Sequence, residues 1–131
     1  MPILNILQYP DSRLRLKAAP VANIDDNIRN LVADMLQTMW EANGIGLAAT
    51  QVDVQQRIIV MDLLGDRSNP RVFINAEVDI LDETPRAFDE GCLSIPEVVE
   101  TVERPSKVII SALNWEHLIS KVWGILFFLR E

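Results

Sequence analysis

The sequence is poor in cysteine, in basic side chains and in long apolar runs. Its single cysteine, Cys92, excludes an internal disulfide and agrees with a reducing compartment. No basic region precedes the first apolar residues, which is not the pattern of a secretory signal, and we expect a cytoplasmic protein. The longest apolar stretch, residues 122–129, is far shorter than the roughly 20 residues of a transmembrane helix, so no membrane span is predicted.

Negative charge exceeds positive charge, with 19 acidic side chains against 12 Lys and Arg and a formal net charge of -7. Such a surface repels phosphate backbones on balance, which argues against nucleic-acid specificity. The composition, 49% hydrophobic and 24% charged, is that of an ordinary globular protein. A chain of 131 residues fits one packed core, so we predict a single domain over residues 1–131.

The clearest element is an amphipathic helix predicted over residues 25–40. Its apolar positions recur at the i, i+3, i+4 and i+7 spacing of a single helix face. These positions are Ile28, Leu31, Val32, Met35, Leu36, Met39 and Trp40. Asp25 and Asp26 suit the first turn, and Asn43 with Gly44 suits a left-handed cap, so the helix should end just before Gly44.

Short β-rich runs follow the helix at residues 57–63, 71–81 and 107–113. Turn-forming pairs separate these runs, at 65–66, 69–70 and 104–105. We therefore predict an α+β fold, with mainly antiparallel sheets around the amphipathic helix.

Residues 44–51, GIGLAATQ, combine two glycines and two alanines with a polar amide. Such small side chains let another backbone approach closely, and a strand of this kind could accept a peptide by β-addition. The alternative is a helix cap followed by a close-packed strand. The spacing fits neither a dinucleotide fingerprint nor a Walker loop, so no phosphate site is predicted.

Residues 90–96, EGCLSIP, place the only thiol beside a carboxylate. A lone cysteine is commonly a small buried hydrophobic residue. Cys92 could instead be a thiolate metal ligand, which requires two or three further ligands from elsewhere because no CxxC partner is present. The spacing leaves both interpretations open.

Taken together and in this order, GIGLAATQ and EGCLSIP resemble the first and second signature motifs of the peptide deformylase family. The resemblance extends from Ile6 through Val108 and fades after about Leu113, so residues 1–114 are predicted to be family-like and residues 115–131 a divergent tail. It implies hydrolytic removal of the formyl group from N-formylmethionine of nascent polypeptides, with a divalent metal. Fe(II) is the expected metal, with Zn or Ni as alternatives, and the ribosome is a second candidate partner.

The resemblance also implies roles for individual residues. Cys92 matches the family's cysteine ligand to the metal. The Gln51 amide and the Leu93 backbone N–H match donors that stabilise the oxyanion formed during hydrolysis. Three further residues match positions that pair with the peptide backbone or shape the pocket, namely Gly46, Ile45 and Glu90.

The third family motif, HExxH on a helix, is not found in these 131 residues, which contain one histidine, His117. In that motif the two histidines bind the metal and the glutamate moves a proton. Aligning His117 with the second histidine puts Leu113 at the first and Asn114 at the glutamate. We therefore predict weak metal binding and impaired or absent turnover, with His117 either a remaining ligand or an ordinary histidine.

The character of the sequence changes abruptly after Asn114, which indicates a frameshift or an early truncation with an unrelated end. The aromatic residues of this tail are predicted to pack on the domain in a short helix or strand, and the alternative is an exposed apolar tail. They are Trp115, Trp123, Phe127 and Phe128.

Three functions remain open at the level of sequence. The leading one is a peptide deformylase homologue that is impaired in this form. The second is a noncatalytic peptide-binding module that keeps Gly46 and Gln51, and the third is a nonfunctional product that folds poorly. Metal content separates the first from the others, and peptide binding by the metal-free chain separates the second from the third.

Overall fold

The computed structural model describes residues 3–113 and 119–124. Within these residues lie α1 (Asp26–Glu41), β1 (Gly46–Ala48), β2 (Ile58–Met61), β3 (Arg71–Cys92), β4 (Ile95–Leu113) and β5 (Ile119–Gly124). The strands form one antiparallel sheet in chain order, which confirms the predicted α+β fold. The helix of the described part is too short and too polar to cross a membrane. The predictions for Trp115, His117, Phe127 and Phe128 lie outside the described residues.

Helix α1 is bounded by capping residues at both ends. The Asp25 side chain accepts a hydrogen bond from the backbone N–H three residues further on, at 3.0 Å, and so satisfies a donor of the first turn. At the other end Asn43 adopts a left-handed conformation with φ 57°. The N–H groups of Asn43 and Gly44 donate to the carbonyls of Trp40 and Met39, which is the Schellman pattern. The predicted helix is confirmed, with its bounds shifted by one residue.

The main core lies between the apolar face of α1 and the sheet. Val32, Met35 and Met39 of the helix are fully buried, as are Leu47 of β1 and Val60 of β2. Full burial of such a side chain stabilises the fold by roughly 1.5–3 kcal/mol. Alternate residues of β2 and β3 point to the other face of the sheet. There they form a second cluster together with residues of β4, and this cluster comprises Met61, Phe73, Val108, Ile110 and Ala112.

Strands β3 and β4 form a hairpin that is much longer than predicted. The expected strand end at 81 and the expected break at Arg104 and Pro105 are wrong, because both strands continue to the turn at Leu93 and Ser94. The polar run after residue 81 has little intrinsic strand preference, and its conformation comes from pairing with β4. Pro85 and Pro105 face each other across the hairpin, so the two missing N–H groups fall at one position of the ladder.

Candidate functional site

The two motif segments, residues 44–51 and 90–96, lie against each other around one cavity of about 700 Å³. All six site residues that were predicted within the described part of the chain line this cavity: Ile45, Gly46, Gln51, Glu90, Cys92 and Leu93. A second cavity of about 520 Å³ shares Gln51, Glu90 and Cys92 with the first. The structure therefore brings together residues that lie about forty positions apart in the sequence.

The first motif segment, residues 44–51, lies partly in the core and partly along the wall of the cavity. Strand β1 is short and stands at one end of the strand order of the described sheet, with Gly46 opposite Met61 of β2. Its central residue, Leu47, is fully buried. The chain then turns into a 3₁₀ helix, Ala49–Val52, which ends at the left-handed Asp53 and carries Gln51 to the cavity. The predicted strand through residue 51 thus ends early, because this tight turn replaces it.

The side-chain amide of Gln51 is held at both ends. Its Oε1 accepts a hydrogen bond from the Ala48 backbone N–H at 2.9 Å, which fixes the oxygen on that side. Its Nε2 donates to the Ser94 hydroxyl at 3.1 Å and also contacts the Cys92 Sγ at 3.5 Å. The amide nitrogen is therefore directed at the second motif segment, beside the thiol.

The second segment forms the tip of the β3–β4 hairpin. Cys92 pairs with Ile95, so Leu93 and Ser94 form a two-residue turn, and the Cys92 side chain is half-buried. The Leu93 side chain packs on the main core. A Cβ at Gly44 would lie 2.6 Å from the Leu93 Cδ1, closer than real carbon atoms approach. Glycine at position 44 therefore leaves the space that Leu93 occupies.

Glu90 and Arg104 form a two-pronged ion pair just before this tip. The guanidinium Nε and Nη2 of Arg104 donate to the two carboxylate oxygens of Glu90 at 2.6 and 2.7 Å. The side chains are 6% and 22% exposed, so the pair is largely removed from water. The hydrogen bond with Glu90 raises the pKa of Arg104. Sequence analysis missed Arg104, although a carboxylate predicted to line a pocket needs a cation or other donors when it is buried.

The amino-terminal segment connects the two halves of the site through its backbone. The Leu7 N–H donates to the Gln51 carbonyl at 2.7 Å, and the Tyr9 N–H donates to the Ser94 carbonyl, also at 2.7 Å. No motif marks these two positions, and their contacts use only backbone donors. Both positions lie in the family-like part of the sequence, but no side chain there indicates these contacts.

The described residues do not by themselves make a metal site. Within residues 3–113 and 119–124, no three His, Cys, Asp or Glu side chains are grouped so that they could hold a metal ion. Cys92 contributes one thiol, whereas catalytic zinc sites use three protein ligands. His117, the other predicted ligand, lies outside the described residues.

Comparison with known proteins matches residues 3–123 to the family described as polypeptide deformylase. Peptide deformylase 1 of Pseudomonas syringae pv. tomato is 59% identical over 114 residues, which are 87% of this chain and 68% of that protein. The peptide deformylase of Pseudomonas aeruginosa is 58% identical over the same share of each chain.

Solved structures agree with these relatives. The crystal structure of a peptide deformylase from Legionella pneumophila superposes with a TM-score of 0.89 at 39% identity, covering 94% of this chain and 72% of that one. The enzyme from Thermotoga maritima gives 0.87 at 31% identity, covering 95% and 82%. Both motif segments that line the cavity, residues 44–51 and 90–96, fall within the matched residues, and the backbone superposes on that of solved peptide deformylases. The chain therefore belongs to the peptide deformylase family.

Proposed function

We propose that the cavity of this chain holds the N-formylmethionine end of a nascent polypeptide in the cytoplasm. Peptide deformylases remove the formyl group of such peptides by hydrolysis. The observation that supports this proposal is the convergence of the Gln51 amide, the Cys92 thiol and the Leu93 turn on one cavity beside strand β1.

The donors suit a developing negative charge on the formyl oxygen. In our proposal the Gln51 Nε2 and the Leu93 backbone N–H donate to this oxygen as the carbonyl carbon becomes tetrahedral. Their value lies in being fixed beforehand, because donors already in place need no reorganisation during the reaction. Gln51 is fixed by Ala48 and Ser94, and Leu93 by its packing next to Gly44. Removing one such donor typically costs about 10² to 10³ in kcat.

The peptide backbone is proposed to lie along β1. Gly46 stands on a strand at one end of the described sheet order, where it presents no side chain to an approaching backbone. Ile45 adds an apolar surface to the same cavity. Glu90 supports the opposite wall, where its pairing with Arg104 joins β3 to β4. These residues bind and orient a peptide without taking part in bond breaking.

Peptide deformylases use a divalent metal, and we propose Fe(II) for the complete site, with Zn or Ni as alternatives. Cys92 is the proposed thiolate ligand, and His117 is the one further candidate in the sequence. Two ligands are fewer than the three that catalytic sites commonly use. We therefore expect the 131-residue chain to bind metal weakly.

Elemental analysis after gel filtration measures this directly. We expect much less than one metal ion per chain. Any metal retained should be lost in Cys92→Ser and kept in Gln51→Ala, because Gln51 is proposed to act on the substrate oxygen rather than on the metal. One tightly held ion per chain, or equal loss in both variants, would contradict the assignment.

Formate release from a formyl-Met peptide tests the activity. We expect turnover to be undetectable or very small, because a positioned acid or base contributes about 10² to 10⁴ in rate and Asn114 stands where the glutamate of HExxH aligns. The matched control is a version in which residues after Asn114 are replaced by a strand and an HExxH helix. Comparable turnover by the two chains would show that another group completes the site.

A noncatalytic peptide-binding module is the second candidate function. It is favoured by one observation: Gly46, Gln51 and Leu93, the residues proposed to bind the peptide, line one cavity within the described residues, where no cluster of metal ligands is found. Peptide binding by the metal-free chain separates this function from a nonfunctional product. Binding to the ribosome is a further proposal, which cosedimentation with ribosomes would test.

A further inference from the structure

Ser94 is a buried polar residue that the predicted site did not include. It is 4% exposed and occupies the two-residue turn of the β3–β4 hairpin. A hydroxyl that is buried without a hydrogen-bond partner is destabilising. Here the partner is the Nε2 of Gln51, at 3.1 Å, which belongs to a loop 43 residues earlier in the chain.

The contact with Ser94 determines how the Gln51 amide is oriented. The Ala48 N–H holds Oε1, and the Ser94 hydroxyl holds Nε2, so the planar amide is fixed at two of its corners. The terminal torsion of a glutamine has broad energy wells and does not fix the plane by itself. If the Ser94 hydroxyl were absent, the amide plane would be defined only by the Ala48 contact and by the longer contact of Nε2 with the Cys92 Sγ, at 3.5 Å.

The backbone around Ser94 gives this contact a rigid frame. Tyr9 donates to the Ser94 carbonyl and Leu7 donates to the Gln51 carbonyl, both at 2.7 Å. Two positions of the amino-terminal segment, two residues apart, thereby set the separation between the two motif segments. The distance between the Ser94 hydroxyl and the Gln51 amide is therefore set by the backbone, as the role of a positioning residue requires.

We propose that Ser94 is a positioning residue that orients the Gln51 amide for recognition of the formyl group. This inference rests on the proposed function, because it assumes that Gln51 contacts the formyl oxygen. Ser94 itself does not touch the substrate in this arrangement. Its effect is exerted wholly through the direction of the remaining Gln51 N–H, which lies beside Cys92.

The test compares the affinities of formyl-Met-Ala-Ser and Met-Ala-Ser for the full 131-residue chain. Both affinities are measured by NMR titration of the ¹⁵N-labelled protein. The variants are Ser94→Ala, Gln51→Ala and the double substitution. Thr101→Ala is the matched control, because it also removes a hydroxyl from the β3–β4 hairpin. The Thr101 hydroxyl donates to Asp89 at 2.6 Å and has no contact with Gln51. Thermal unfolding of each variant reports on folding.

We expect Ser94→Ala to lower the preference for the formylated peptide by a factor of about three to ten, the range of one hydrogen bond. Because the two residues act as a unit, the double variant should lose no more than Gln51→Ala alone. The side-chain amide signals of Gln51 should shift in Ser94→Ala and stay in place in Thr101→Ala. A purely structural role would affect both peptides equally and would add to the Gln51 substitution.

If Ser94→Ala does not fold, Ser94→Cys replaces it, because it keeps a side chain of similar shape with a weaker acceptor. A Ser94 variant that keeps the full preference while Gln51→Ala loses it would overturn the positioning role and leave the proposed function intact. A wild-type chain with no preference for the formylated peptide would overturn both.

Discussion

The two halves of the site are held in place by different physical means. Residues 44–51 are anchored in the core, where Leu47 and Ala49 are fully buried. Residues 90–96 lie at the tip of a hairpin whose strands the Glu90–Arg104 ion pair joins. The tip is attached by the hydrogen bonds of Ser94 and by the packing of Leu93 on the core. The first half is thus part of the folding core, and the second is attached to it.

This difference matches what each half is proposed to do. Burial of apolar surface is non-directional and fixes a segment as a whole, which suits a strand that supports a peptide. Hydrogen bonds depend on angle as well as distance and fix individual atoms, which suits the orientation of an amide. Gln51 is held by both means. Its backbone lies in the 3₁₀ helix beside buried residues of the core, and its side chain is hydrogen-bonded to Ser94.

The comparison predicts its largest effect for Leu47→Ala. Removing a fully buried leucine should lower the free energy of unfolding by about 3 kcal/mol, through lost burial and the cavity left behind. Urea denaturation measures this. Leu64→Ala is the control, because Leu64 is 76% exposed and should change stability by no more than about 0.5 kcal/mol. Equal losses in the two variants would show that the first half is not held by the core.

A smaller and more local effect is expected for Glu90→Ala. Breaking a buried ion pair costs about 3 to 5 kcal/mol, and because Arg104 is 22% exposed and can regain water, we expect about 2 kcal/mol. Hydrogen exchange should speed up at residues 90–96 while α1 stays protected. Glu103→Ala, at an exposed position of the same hairpin, is the control. Loss of protection in α1 as well would mean that the two halves unfold together.

The smallest effect is expected at the surface, where Arg13 contacts both Asp11 and Asp53. The hydrogen bond from Arg13 lowers the pKa of Asp11 from 3.8 to about 2. A carboxyl group whose pKa is lowered on folding stabilises the folded state at any pH above its pKa in the unfolded chain. This contribution is lost as the pH falls through its pKa in the folded chain. Asp11→Asn should therefore be slightly less stable than the wild type at neutral pH, and the difference should vanish as the pH falls below 2.

Thermal unfolding of both chains across this pH range is the measurement. Added salt should reduce the difference at neutral pH, because the groups are exposed. A difference that persists below pH 2 would show that Asp11 acts through its shape rather than its charge.

Local sequence patterns predicted the parts of the fold that depend on local interactions. The helix was found because its apolar spacing, its Asp25 cap and its Asn43 cap all lie within twenty residues of one another. The predicted strand end at 81 and the predicted turn at 104–105 were wrong, because the extension of β3 and β4 depends on their mutual pairing. No propensity of the polar residues 82–92 reports that pairing.

The site shows the same division. The motif residues were available from the sequence, and the structure brings six of them to one cavity. Their supports were not available, because Arg104, Ser94 and Tyr9 act on groups that are between 14 and 85 positions away. A residue whose role is to hold another residue is assigned only when the contact is seen, even where, like Ser94, it stands inside a motif.

The hairpin also distributes its irregularities unevenly between its strands. Between the pair Ile74–Leu113 and the pair Gly91–Val99, each register shift leaves extra residues on β3, and β4 runs regularly. The extra positions near residues 81–85 are mostly exposed. We expect a residue gained or lost at these positions of β3 to bulge into solvent, while β4 keeps its regular pairing from Val99 to Leu113.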